Sequence, residues 1–402
     1  MYSKTITLLT AVLLVAGCTQ ETTGIRRSSP ERQGMSTAHL ALIDSTVNAS
    51  IEAGDVPGAV VGIVRNGTLV YEKAFGNKAV FPEVEPMTVE TLFDLASVSK
   101  CVGTTLSIMQ LVEQGKLRLM DPVSYYLPEF QPWEDPKTRE KVDITVQHLL
   151  THSSGLEAYL PDVPAYLEEF GPNSPDSLMM VISTRIKRLF RPGTQQLYSC
   201  LNFITLQHIL QRITGEKLCD YAQEHVFNAL GLQNTHYHPN YIALCAPTEV
   251  QEDGSVLRGV VHDPIARLIN DGNSGNAGVF SNVEDLAVVC AALLGGGSYN
   301  GRRILSPLTV KKMFEVPLCN DPQVARALGW DCYYLEPYSS GDIFPLQHLR
   351  GHTGYTGTSV ILDPDSQTAV IVLAHRVHPA DDGSTSRLRG TVASIAAAAI
   401  GR

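Results

Sequence analysis

Apolar positions along this chain recur with a helical period in some stretches and alternate with a period of two in others. From Ser36 to Gly54, Leu40, Ile43, Val47 and Ile51 mark one face of an amphipathic helix, with Ser36 as its N-cap. Two β-rich runs follow, Ala59 to Val64 and Thr68 to Tyr71, on either side of Asn66-Gly67. An Asn-Gly pair suits a tight turn with positive φ at both central residues, so this stretch predicts a hairpin. Cys101, Thr104-Thr105, Ile108 and Leu111-Val112 return to helical spacing and predict a helix from Cys101 to Gln114. Further helices are predicted over Thr145 to Leu150, Ser177 to Arg188 and Asn202 to Ile213, separated by Pro/Gly clusters at 128–136 and 171–175. Asn282 to Leu294 is another, stopped by Gly295-Gly296-Gly297. A second hairpin is predicted from Thr358 to Leu362 and Thr368 to Ala374 around Asp363-Pro364-Asp365-Ser366, and Arg387 to Ile400 predicts a closing helix. This order implies an α/β (α+β) fold: an antiparallel sheet built from both chain ends, flanked by the terminal helices, with a mostly helical region inserted. The sheet region is placed at 35–96 and 285–402, the helical region at 97–284.

Composition narrows the class of protein. The 402 residues are 44% hydrophobic and 18% charged, enough for one large domain or two interleaved ones. A net charge of −10 without a Lys/Arg-rich run excludes nucleic acid as an expected partner. At the N-terminus Lys4 precedes an apolar run, Ile6 to Val15, too short to span a bilayer. It ends in Leu14-Val15-Ala16-Gly17-Cys18, which resembles the lipobox of bacterial lipoproteins. That resemblance implies a signal peptide at 1–17, lipidation of Cys18, a tether at 18–34 and a single domain at 35–402. The protein would then sit at the bacterial cell envelope, held to a membrane by lipid. The alternative is an ordinary signal peptide that contains a cysteine. Cys101, Cys200, Cys219, Cys245, Cys290, Cys319 and Cys332 show no C-x-x-C spacing, so neither a metal site nor a disulfide framework is expected. An export signal permits a single bridge. His236 and His238 lack a third ligand nearby and read as a loop pair.

Three stretches carry candidate chemistry. Ser97-Val98-Ser99-Lys100 puts a hydroxyl and an amine about one helical turn apart at a helix start, where free N–H groups could meet an oxyanion. Tyr198-Ser199-Cys200 precedes a helix, and alone would read as a buried tyrosine. His352-Thr353-Gly354-Tyr355 leads into a strand, and alone is as well read as a tight turn.

Taken together, in this order, the three resemble the β-lactamase and penicillin-binding protein superfamily of active-site serine hydrolases, in its class C-like branch. Val56-Pro57-Gly58-Ala59, Gln114-Gly115-Lys116-Leu117, Asp121-Pro122-Val123, Leu150 to Leu156 and Ala277 to Ser281 fit that branch as well. The resemblance implies Ser97 as nucleophile and Lys100 as its base or proton relay, with a pKa lowered by burial. It implies Tyr198 as general base and acid. It makes His352 the residue that orients Tyr198 or a substrate carboxylate, and Thr353 and Gly354 part of the cleft. The oxyanion hole would be the backbone N–H groups of Ser97 and Tyr355. His152 would brace its own loop. No cofactor or metal is implied.

Two departures matter. Cys200 stands where the branch has Asn, whose amide donates to a substrate carbonyl; a thiol is a poor substitute. His352 stands where many relatives have Lys, which removes a permanent cation. Both count against an efficient β-lactamase and favour a D-alanyl carboxypeptidase-like or esterase-like enzyme acting on small or peptidoglycan-derived substrates. A weak β-lactamase is one alternative, and a non-catalytic sensor of wall fragments is the rival from another class; a sensor needs no complete proton relay.

Overall fold

The computed structural model describes residues 24–317, 326–332 and 339–401. The expected lipidation site Cys18 and Cys319 lie outside these residues. One seven-stranded antiparallel sheet organises the chain. Its strands are β1 (Gly58–Arg65), β2 (Thr68–Ala79), β3 (Glu85–Pro86), β4 (Asp331–Cys332), β5 (Arg350–Thr353), β6 (Ser359–Asp363) and β7 (Thr368–Ala374). Their spatial order is β4-β5-β6-β7-β1-β2-β3, so strands from the two ends of the chain meet at β1 and β7.

Sheet alternation explains why β1 and β7 read as continuous apolar runs. Val60 and Val64 of β1, with Ala369, Ile371 and Leu373 of β7, face the core shared with the inserted helices. Ala59, Val61 and Ile63, with Val370, Val372 and Ala374, face a second core under the terminal helices. Antiparallel strands covered on both faces lose the usual apolar–polar alternation. Helices α1 (Leu42–Glu52) and α5 (Ser386–Ala398) cover the second face through Ile43, Val47, Leu388 and Val392. The first face carries α2 (Leu106–Glu113), α3 (Cys200–Thr214) and α4 (Val283–Leu294). Each fully buried Val, Leu or Ile contributes about 1.5–3 kcal/mol. Among the described residues no helix is long and apolar enough to cross a membrane.

The Asn66-Gly67 turn has φ of 49° and 68°, as the pair predicts, and Ser36 Oγ accepts from His39 N at 3.2 Å. The first helix is nevertheless split, Thr37–Leu40 before α1. β2 runs well past Tyr71, because its polar residues still pair with β1 and β3. The helix expected at Ser177 to Arg188 is Pro175–Thr184. Arg188 lies beyond it and donates to the carbonyls of Ile182 and Ser183 at 2.9 and 2.8 Å, capping its end. Several helices are not predicted by the sequence pattern, among them Val163–Phe170 and Pro307–Phe314. The caps of these two were visible: Asp162 before Pro164, and Ser306 before Pro307.

Candidate active site

The turn that carries Ser97 sits at the end of the sheet, under strand β5. Ser97 lies in a 3₁₀ turn, Ala96–Val98, which runs into a π-helical turn, Lys100–Thr105, and then into α2. Ala96 is held at φ 45°, a left-handed conformation that costs a non-glycine residue about 1–3 kcal/mol. Buried Asp94 holds it there. One carboxylate oxygen accepts from Ala96 N at 2.9 Å, and the other accepts from His262 N at 2.7 Å. Gly354 explains the glycine of the His-Thr-Gly stretch: a Cβ there would lie 2.5 Å from the Leu95 carbonyl, so β5 can approach the turn only without one. Arg389 of α5 clamps the same corner, donating to the carbonyls of Gly354 and Thr358 at 2.7 and 2.8 Å.

Lys100 is completely buried. Its Nζ donates to Ser97 Oγ at 2.9 Å and to the Asn276 carbonyl at 2.7 Å, and lies 3.7 Å from Cys200 Sγ. It also sits 5.0 Å from the centre of the Tyr198 ring. The expectation that burial lowers the Lys100 pKa is corrected in its net direction. Burial does push the amine down, but Cys200 and Tyr198 beside it outweigh that, and the net shift is upward. Burial raises the Tyr198 phenol, with Lys100 and Ser97 pulling against it, and burial likewise raises the Cys200 thiol.

The loop from Leu150 to Leu156 positions Tyr198 from behind. His152 is fully buried and packs its ring 4.4 Å from that of Tyr198. Its Nδ1 accepts from Ser199 N at 3.0 Å, and its carbonyl accepts from Leu197 N at 2.9 Å. His152 thus braces the tyrosine as well as its own loop. His352 lies across the cleft, its ring centre 5.9 Å from that of Tyr198. Its Nδ1 donates to the Thr353 carbonyl at 2.8 Å, and its Nε2 accepts from Arg326 at 3.0 Å. Arg326 can only donate, so His352 carries its proton on Nδ1. Burial pushes its pKa down to about 4, which keeps it neutral.

A cleft of about 350 Å³ opens over Ser97 and is lined by Tyr198, Asp331, His352, Thr353 and Tyr355, among others. The Tyr355 N–H has no backbone partner among the described residues, as an oxyanion donor requires. Its side chain is pinned outward by Asp381 and by Arg376, whose guanidinium lies 4.5 Å over the ring. Larger clefts between the terminal helices and beside Phe314 bring no serine hydroxyl to a lysine amine. His236 is engaged elsewhere, with Gln223 Oε1 and the Gln233 carbonyl.

Two residues of the site were not singled out from the sequence. Arg326 is buried, ion-paired to Asp331, and lies 5.5 Å over the Tyr198 ring. It returns a permanent cation to a cleft where His352 replaces Lys. Asn276 holds Lys100 through its carbonyl, while its side-chain Nδ2 is buried without a hydrogen-bond partner. Such an orphan donor costs about 1–3 kcal/mol. Asn276 could have been suspected, because it directly precedes the Ala277 to Ser281 stretch. Arg326 has no local signal.

The fold agrees with what known proteins show. The chain belongs to the Beta-lactamase family, whose profile matches residues 43–393. It is 30% identical over 378 residues to a Bacillus subtilis (strain 168) protein named N-acetylmuramyl-L-alanine amidase, covering 87% of this chain and 83% of that one. It is 28% identical over 402 residues to an Escherichia coli (strain K12) protein named "Putative D-alanyl-D-alanine carboxypeptidase", covering 92% and 91% of the two chains. In three dimensions it matches EstCE1, a hydrolase with promiscuous acyltransferase activity, with a TM-score of 0.72 at 24% identity, over 90% of this chain and 99% of that chain. This last likeness bears on the fold.

Proposed function

We propose that this protein is a serine hydrolase that cleaves D-amino-acid peptide or ester bonds through an acyl-enzyme on Ser97. The observation that carries the reading is the 2.9 Å contact between Lys100 Nζ and Ser97 Oγ inside a buried, braced pocket. Ser97 Oγ attacks the carbonyl carbon. Its proton passes through the Lys100–Tyr198 pair to the leaving group, and the Ser97 and Tyr355 N–H groups receive the oxyanion. Water then repeats the sequence on the acyl-enzyme. The names of the relatives, an amidase and a carboxypeptidase, support amide bonds of peptidoglycan as substrates. A sensor without turnover has no need of a lysine buried against the serine. Incubation with a penicillin, a nitrophenyl ester and a fluorophosphonate, followed by intact mass, tests the reading. A covalent adduct on Ser97 is expected, and failure of all three reagents to add would overturn it.

Cys200 sets the preference between bonds. In this reading the wild type acylates faster with esters and thioesters than with β-lactams. An Asn at this position could accept from Lys100 Nζ and from the orphan Asn276 Nδ2, leaving its own N–H for a substrate carbonyl. Cys200→Asn should therefore raise penicillin acylation about 2- to 12-fold, the kinetic equivalent of one hydrogen bond of about 0.5–1.5 kcal/mol. Unchanged or slower acylation in a variant with a normal melting temperature would refute this.

Envelope anchoring belongs to the same proposal. The apolar run ending at Cys18 supports lipid attachment there. Cys18→Ala should move the protein from the detergent phase to the aqueous phase in a partition assay. A wild type already aqueous in its native host would contradict the anchor.

A further inference from the structure

Cys200 opens α3 beside the reacting groups and stays partly exposed. One hydrogen-bond donor, Lys100 Nζ, lies 3.7 Å from its sulfur. Asn276 adjoins the same pair, its carbonyl accepting from Lys100 Nζ at 2.7 Å. Asn276 is 1% exposed, and its Nδ2 makes no hydrogen bond of ordinary geometry. The amide cannot simply turn away. Ser274 Oγ donates to its Oδ1 at 2.6 Å, and Asn270 Nδ2 in turn donates to that hydroxyl at 2.8 Å. The sulfur is thus beside an ammonium, for which it is a weak acceptor, and the residue that holds that ammonium carries an unpaired N–H. An oxygen on that sulfur would accept from the two together.

We propose that Cys200 is a modification site for hydroperoxides, and that its sulfenate oxygen docks between Lys100 and Asn276 and arrests the Ser97–Lys100 pair. In the step, the Cys200 sulfur attacks the distal oxygen of a hydroperoxide. An S–O bond forms and the O–O bond breaks. The sulfur is oxidised by two electrons, and the peroxide leaves as water or an alcohol after taking the thiol proton. Burial opposes formation of the thiolate and outweighs the pull of Lys100, so the thiol stays above its ordinary pKa. The product is the sulfenic acid, which gives its proton to solvent; the sulfenate then holds the Lys100 ammonium, so the amine no longer relays the Ser97 proton. A dithiol reductant reverses the change by attacking the sulfenyl sulfur and releasing water. Among the described cysteines, Cys101, Cys245 and Cys290 are buried, and the Cys219 sulfur faces the Asp220 carboxylate at 3.7 Å, which disfavours an anion; Cys332 is partly exposed like Cys200, and the peptide map below distinguishes the two.

The effect on activity rests on the reading of Ser97 and Lys100 above; oxidation of Cys200 does not. The full-length protein is treated with hydrogen peroxide, trapped with dimedone and mapped by peptide mass. In parallel the rate of fluorophosphonate labelling is followed before peroxide, after it, and after dithiothreitol. The dimedone adduct is expected on the peptide holding Cys200. Labelling should slow by about 10²-fold, the scale of a lost proton relay, and recover with the reductant. Cys200→Ser and Cys200→Ala, each compared with its own untreated rate, should be insensitive to peroxide. A wild type with no adduct on Cys200, an adduct that leaves labelling unchanged, or equal peroxide sensitivity in the two variants would each overturn the proposal. If reduced wild type fails to label at all, the nucleophile reading fails, while the dimedone map still decides the thiol chemistry.

Discussion

Ser97→Ala should abolish fluorophosphonate labelling and lower turnover by about 10⁴-fold or more, the scale seen when a serine nucleophile is deleted. The size follows from geometry. Lys100 donates to one hydroxyl, and the turn that presents it is held by Asp94, Thr356, Thr358 and Gly354. The variant should keep its fold, because alanine fits the space and Lys100 retains the Asn276 carbonyl as partner. Turnover of a nitrophenyl ester, measured beside a melting curve, checks both parts. Full activity in a folded Ser97→Ala protein would sink the mechanism.

The second large effect concerns Lys100. Lys100→Met keeps the length of the side chain and removes the amine, so turnover should fall about 10²- to 10⁴-fold, the usual contribution of a positioned acid–base group. Stability should move the other way or not at all. A fully buried ammonium is desolvated, and an apolar side chain of similar volume in its place is often neutral or stabilising. A pH profile separates this from a packing defect. Both Lys100 and Tyr198 have pKa values raised above their ordinary ones, so both keep their protons near neutrality. The base form of the pair grows as pH rises, and kcat/KM of the wild type should climb through the alkaline range. Lys100 holds the Tyr198 pKa down against burial. Without that charge the residual alkaline limb should shift to higher pH. A flat wild-type profile between pH 6 and 9, or an unshifted limb in Lys100→Met, would contradict the assignment of the pair.

The parts legible in the sequence are those whose physics is local. Asn66-Gly67 specifies its turn through two residues, and Asn282 starts α4 by accepting from Asp285 N three residues on. Ser97 and Lys100 meet because both belong to one helix start. The length of β2 was not legible. Glu72, Lys73 and Asn77 lie beyond the run that ends at Tyr71, yet they pair as strand because β1 and β3 supply the ladder. The pKa of Lys100 was misjudged because the partners that decide it, Tyr198 and Cys200, are about a hundred residues away, and only the fold brings them near. Arg326 escaped for the same reason. Its meaning lies wholly in His352, Asp331 and the face of Tyr198.

The pairing of β1 with β7 also governs the order of events as the chain is made. Ala59 lies opposite Ala374 and Arg65 opposite Thr368, so the middle of the sheet joins the first strand made to the last. A ribosome-bound chain that has emerged only as far as α4 holds the hairpin of β1 and β2 with one side unfilled. α1 has no α5 to pack against. Such a hairpin is marginal in water, and its open edge offers a template for wrong pairing. The contact closes only across most of the chain's length, which places this protein among slow, high-contact-order folders. Nascent copies would lack the middle of the sheet until β7 has emerged and would depend on whatever shields an open strand edge until then.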